Sequence, residues 1–281
     1  MRVALPKPSD RLPLGRSGVH VSPFCLGLTA MPETVIAAYE SGINFFFITG
    51  DLHWPLYDGL RRGLARLLRD NPTRRQELVI GVVSYLDNPL FGALQFHEVI
   101  GEVPGLKYID LLIAGGVPSE TSFYSRLDSL VSAKRTAHNG SRAIGATFHQ
   151  RTLALLADYY DLLDISFIRY NAAHPGARRD LFPFLRPSRT CPVFNFKSVM
   201  AHVPRDAFDA LGLPSGYWCP EACDYYRFVL SRPEVDGVLC SPQSPEELRG
   251  LVRAMERGPV SQEEEEYMIW LSGLTQTAVL T

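Results

Sequence analysis

Eight short apolar runs, each followed by a longer amphipathic stretch, constrain this chain more than any other feature. They are "PFCLGL" (23–28), "INFFFI" (43–48), "ELVIGVV" (77–83), "YIDLLIA" (108–114), "RAIGAT" (142–147), "LLDISFI" (162–168), "CPVFNF" (191–196) and "VDGVLC" (235–240). The runs are continuous rather than alternating, as expected of strands covered on both faces. Between them lie helical patterns with recognisable ends. "PETVIAAYESG" places Pro32 inside a first turn and stops at Gly42. "SRLDSLVSAKRTAHNG" stops at Asn139-Gly140, and "SPEELRGLVRAMERG" opens on a Ser244 capping box and closes at Gly258. Eight strand–helix units predict an α/β fold, a (β/α)8 TIM barrel. Ahead of the first unit, "RLPLGRSGVHVS" reads as a β-hairpin plugging the barrel floor. After the eighth, "SQEEEEYMIWLSGL" reads as an extra C-terminal helix with an acidic start. No linker, repeat or low-complexity tract interrupts the pattern, so residues 1–281 are expected to form one domain.

Composition excludes several classes of function. The chain has 281 residues, 46% of them hydrophobic, enough for a large core. A net charge of −2 offers no basic field for nucleic acid. No apolar run approaches the ~20 residues of a membrane span, and no segment has signal-peptide form, so a cytoplasmic location is expected. Five cysteines without framework spacing suit reduced thiols. Cys219 and Cys223 have no second pair to complete a zinc site, so no metal is expected. Lysine is rare, occurring only at Lys7, Lys107, Lys134 and Lys197.

"LPLGRSGVHVSPFCLGL", "SGINFFF", "YIDLLIAG", "RAIGATFHQR" and "SRPEVDGVLCSPQSPEEL" together resemble the aldo-keto reductase superfamily over nearly the whole chain. "RYNAAHPGARRDLFPFL" after the sixth strand is similar to a bacterial subgroup of it. The resemblance implies a barrel that binds NADP(H) across its mouth and passes hydride to a carbonyl. It also implies a tetrad: a tyrosine acid, a lysine lowering its pKa, an aspartate holding the lysine, and a histidine orienting the carbonyl. A phenol of pKa ~10 needs such a cation to give up its proton at neutral pH. Carried over position by position, the aspartate slot is Phe47, the tyrosine slot Leu52, the lysine slot Val83 and the histidine slot Gly115. A shifted alignment does not restore the lysine, because none lies between Lys7 and Lys107. The pair that the resemblance assigns to the nicotinamide amide is Thr147-Phe148. Without its lysine partner a buried acid at position 47 would be uncompensated, which accounts for Phe47.

In a barrel of this kind, chemistry gathers at the C-terminal ends of the strands. The second strand runs into "TGDLHWPLYDGL", which supplies Asp51, His53 and Tyr57 as candidate catalytic groups beside Trp54. A His–Asp pair can act as general acid or base near pH 7. The alternative is structural, with Asp51 capping the next helix, Trp54 packing over the barrel top and Tyr57 on a helix surface. Thr147, His149, Arg169, Asn171 and Lys197 follow later strands as candidate substrate contacts. His174, Arg178 and Arg179 stand in a loop of small residues suited to a carboxylate or phosphate. Arg169 equally suits an ion pair at the rim, His149 a helix start, and Lys197 a solvated surface. Ser241, Gln243 and Ser244 open the eighth helix, where the resemblance implies the adenosine phosphate of NADP(H) would bind. The glycine, basic and asparagine positions of that site are Ser241, Gln243 and Leu251, so cofactor binding is doubtful, and a capped helix that binds nothing is the alternative.

Three functions fit these residues. The first is acid–base, redox-independent chemistry on a small polar or anionic substrate in a specialised biosynthetic pathway. The second is an NADP(H)-dependent oxidoreductase with a rearranged donor, His53 or Tyr57. The third is a catalytically silent binding protein.

Overall fold

A computed structural model describes residues 2–51, 53–86, 89–136 and 141–278. Leu52 and the Asn139-Gly140 helix stop lie outside the described residues. An N-terminal hairpin pairs β1 (Leu12–Pro13) antiparallel with β2 (His20–Val21). Eight parallel strands then close a barrel: β3 (Phe24–Leu26), β4 (Phe45–Thr49), β5 (Val79–Ser84), β6 (Leu111–Val117), β7 (Ala143–Phe148), β8 (Ile165–Arg169), β9 (Val193–Phe196) and β10 (Gly237–Cys240). Each lies within or beside one of the eight apolar runs. Strands β3 to β9 pair in chain order and β10 closes on β3. The helices described are α1 (Pro32–Glu40), α2 (Asp58–Asp70), α3 (Pro89–Glu102), α4 (Glu120–Thr136), α5 (Leu153–Tyr159), α6 (Ala177–Asp180), α7 (Arg205–Ala210), α8 (Ala222–Leu230), α9 (Pro245–Met255) and α10 (Gln262–Ala278). None is long and apolar enough to cross a membrane.

A repeated side-chain clamp fastens the barrel floor. The Ser22 amide ahead of β3 donates to Asn44 Oδ1 at 2.7 Å, and Asn44 stands just before β4. On β5 the Ile80 amide donates to Asp110 at 2.9 Å, on β7 the Ile144 amide to Asp164 at 2.9 Å, and on β9 the Val193 amide to Asp236 at 2.8 Å. Each acceptor immediately or closely precedes the next strand, so every second strand start is satisfied by its neighbour's Asn or Asp. The fully buried Arg75 reinforces this end, donating to Asp110 at 2.8 Å and to the carbonyls of Leu78, Leu106 and Tyr108. The hairpin covers the same end: Asn44 Nδ2 donates to the His20 carbonyl, and the Arg16 amide donates to Asp164. Polar satisfaction of the floor leaves the opposite mouth free for a site.

The barrel interior beneath that mouth is aromatic. Phe45, Phe47, Phe167 and Phe194 meet with ring centroids 5.5–6.4 Å apart, three of the contacts edge-on or close to it. Outside the barrel, the buried carboxylate of Glu265 anchors α10. It accepts from Arg232 at 2.8 Å and from the Tyr170 hydroxyl at 3.0 Å.

Candidate active site

A cavity of about 550 Å³ opens at the C-terminal ends of the strands, with Phe47 in its wall. The loop after β4 contributes His53, Leu56 and Tyr57. This loop is held by the Asp51 amide donating to Thr49 Oγ1 at 3.2 Å and the Trp54 amide to the Asp51 carbonyl at 2.8 Å. Asp51 Oδ1 accepts the His53 amide at 2.9 Å and faces His53 Nδ1 at 2.9 Å. The Asp51 side chain is 5% exposed and that of His53 55% exposed. A buried carboxylate against Nδ1 holds the proton there and leaves Nε2 as the basic nitrogen. Asp51 therefore serves its own loop and His53, and α2 begins without a side-chain cap.

Tyr85, one residue past β5, is the group that the sequence reading missed. Its ring lies 5.0 Å from that of His53, and both line the cavity. It occupies the space above Gly115. A Cβ on Gly115 would come within 2.6 Å of Tyr85 Cδ1 and 2.7 Å of Val83 Cγ2. Beside it, Gly116 has φ +65°, which a side chain would strain, and its amide donates to Thr147 Oγ1 at 2.6 Å. The glycine pair lies within a shift of register in β6 between Ala114 and Val117. Arg126 of α4 reaches in from behind, donating to the Gly115 carbonyl at 2.5 Å and to the Ser84 carbonyl. A Gly-Gly pair was the sequence signal for close packing at this point, but it did not name the intruding ring.

Thr147 and His149 of the β7 end wall the cavity, as do Phe196 at the end of β9, Lys197 and Ser198 just after it, and Tyr226 of α8. Ser241 lines it too, its amide donating to the Tyr226 hydroxyl at 3.3 Å. The structure thus brings His53, Tyr57, Thr147, His149, Lys197 and Ser241 to one cavity, with Asp51 acting through His53. Trp54 lies outside the lining, stacked 3.0 Å beneath the Arg61 guanidinium on α2. Asn171 is wholly buried; its Nδ2 donates to the Lys197 carbonyl at 2.9 Å. Arg169 ends β8 beside Phe196, at the rim rather than in the wall.

The phenols of this site are held neutral. Burial, then Tyr85, Cys25 and Asp51, raises the Tyr57 pKa well above the ordinary range. Burial and Asp51 raise that of Tyr85, with Arg126 pulling partly back. Burial raises that of Tyr226. None can release a proton near neutrality, but each can donate a hydrogen bond.

The start of α9 fits a dinucleotide phosphate poorly. Ser244 Oγ takes the Glu247 amide at 3.2 Å, and the Glu247 carboxylate takes the Gln243 amide at 2.8 Å. Gln243 Nε2 donates to the Ser241 carbonyl at 2.7 Å. Glu246 and Glu247 place negative charge in the first turn, and Arg249 and Arg253 both turn to Glu246. The Gln243 and Glu247 amides, which would face a phosphate, are already used, and the acidic first turn opposes it.

Among the described residues, Glu221, Cys223 and Asp224 have metal-like spacing, and none of them lines the cavity. Glu221 and Asp224 form a capping box on α8, and Arg227 and Arg257 neutralise Asp224. Cys219 is not part of the group.

No protein-family model matches the sequence, and no curated protein matches it. Among solved structures, the chain is similar to the aldo-keto reductase AKR11C1 from Bacillus halodurans. The holo form gives a TM-score of 0.72 at 15% identity, over 94% of this chain and 96% of that one. The apo form gives 0.67 at 17% identity over the same shares. The aldo-keto reductase-like PA4992 from Pseudomonas aeruginosa gives 0.65 at 16% identity, over 91% of this chain and 99% of that one. The fold of this chain is that of the aldo-keto reductases.

Proposed function

We propose that this protein is an acid–base enzyme, of isomerase or lyase type, acting on a small polar or anionic substrate without hydride transfer. One observation carries the reading: the 2.9 Å contact between the nearly buried Asp51 carboxylate and Nδ1 of His53, whose ring opens into the cavity. Nε2 of His53 would take a proton from the substrate and return it, with Asp51 stabilising the imidazolium between the two steps. Tyr85 and Tyr57, both held neutral, would donate hydrogen bonds to substrate oxygens. Thr147 already accepts the Gly116 amide, so its hydroxyl proton is available in the same way. The residues at the start of α9 do not fit the adenosine phosphate of NADP(H), so no step is assigned to that cofactor.

The shared barrel supports a second reading, carbonyl reduction with a proton donated by His53 or Tyr57. The surroundings of Tyr57 weigh against its part in that reading, because burial first, and then the Asp51 carboxylate, disfavour a phenolate. A catalytically silent barrel is the third reading.

Solvent exchange separates them. The protein is incubated in D2O with a panel of small keto, hydroxy and carboxylic acids, and loss of substrate C–H signals is followed by NMR. Protein-dependent exchange or conversion is expected for at least one compound. His53→Gln should reduce it at least about 100-fold and Asp51→Asn at least about 10-fold, with melting temperatures near that of the parent. Full activity in His53→Gln would place the chemistry elsewhere, and no exchange with any compound would favour a silent barrel.

A further inference from the structure

The cavity mouth is asymmetric. The Asp51–His53 pair lies on the β4 side, whereas the β8–β9 side carries cations that have no acidic partner among the described residues. Lys197, one of only four lysines, follows β9 in the left-handed region at φ 61°, ψ 37°. A non-glycine residue holds that conformation only where its surroundings fix it. Two buried asparagines do so here. Asn171 holds the Lys197 carbonyl, and its Oδ1 takes the His174 amide at 2.9 Å. Asn195 Nδ2 donates to Ser198 Oγ at 2.8 Å, and its Oδ1 takes the Tyr170 amide at 2.7 Å. The turn thus presents the Lys197 side chain to the cavity, and among the described residues its ammonium has no acidic partner.

Arg169 stands next to it, in register with Phe196 on the last rung between β8 and β9. Side chains alternate along a strand. Phe167 points into the phenylalanine cluster, so Arg169, two residues on, faces the mouth above it. It too lacks an acidic partner among the described residues. The neighbouring arginines differ: Arg151 is bidentate on Asp180, and Arg178 reaches Glu265 at 3.7 Å. His174 is held below the ordinary imidazole range, by burial first and then by Arg169, Arg151 and Lys197, so it adds no negative charge and no further cation near neutrality.

We infer that Lys197 and Arg169 form an oxyanion subsite that seats a carboxylate or phosphate group of the substrate, across the cavity from His53. Planar guanidinium and compact ammonium together suit such a group. The inference rests on the acid–base reading for what the bound molecule undergoes, but not for its binding.

The scarcity of lysine provides the test. Reductive methylation with 13C-formaldehyde labels Lys7, Lys107, Lys134, Lys197 and the amino terminus while keeping their charge. The labelled protein is titrated separately with inorganic phosphate, malonate and ADP. One resonance, missing in Lys197→Gln, is expected to move saturably with phosphate or malonate, and the tighter of the two identifies the oxyanion. Arg169→Gln should weaken that binding at least tenfold and Arg169→Lys only a few-fold. Should Arg169→Gln fail to fold, Lys197→Gln gives an independent reading, by losing the ligand-induced rise in melting temperature. His53→Gln should leave the titration unchanged, so failure of the acid–base reading is distinguishable from failure of this one. Shifts that are linear and equal at all lysines would overturn the subsite. A response to ADP without one to phosphate or malonate would assign the cations to a nucleotide instead.

Discussion

Phe47 is 2% exposed and meets Phe167 edge-on at 5.5 Å, where the resemblance places an acid. Its surroundings, Phe167 and the Val83 strand beside it, contain no cation to pair with a carboxylate there. Phe47→Asp therefore combines a lost aromatic contact with an unpaired buried charge. It is expected to lower stability by about 4 kcal/mol or more, measured by urea denaturation. Adding Val83→Lys should restore part of the loss by supplying the partner. A Phe47→Asp protein within about 1 kcal/mol of the parent would show that this position tolerates an acid unaided. The sequence made Phe47 legible, because the missing lysine is a matter of counting. It did not reveal Tyr85, which follows its strand as any rim tyrosine would. Its proximity to His53 arises from two chain segments more than 30 residues apart, and no local pattern encodes that.

The strands and their helices were legible from hydrophobic runs and end signals, since burial on both faces leaves little freedom in composition. The four floor clamps are visible in retrospect as the Asn or Asp of "IN", "ID", "LD" and "VD" at strand starts, although the reading did not single them out. At the mouth, β5, β6 and β7 meet around Gly115 and Gly116, and their fit depends on the absence of two side chains. Gly115→Ala should force the Tyr85 ring and Val83 apart and lower stability by about 1–3 kcal/mol. Tyr85→Ala in the same chain should recover much of that loss, whereas a simple strand-propensity effect would persist in the double variant. The helix α9 shows the limit of motif reading. "SPQSPEEL" suited both a phosphate site and a self-capped helix, and the choice turned on where the Glu247 carboxylate lies.

Across the whole protein, the barrel has the fold of the aldo-keto reductases, and its mouth is lined by tyrosines, histidines and a lysine. Phenols and a His–Asp pair face two cations that have no acidic partner among the described residues, and Gln243, Ser244 and Glu247 bond to one another at the start of α9. On the acid–base reading proposed above, this arrangement would receive a small anion that gives and regains a proton. The order of the strands was readable from the chain, but the polarity of the mouth was not, because it depends on which arginines find acids in three dimensions. A calorimetric titration of the protein with NADPH tests this account most directly. No saturable heat is expected up to millimolar cofactor. Saturable binding at micromolar concentration, with the nicotinamide oxidised on addition of a carbonyl substrate, would contradict it.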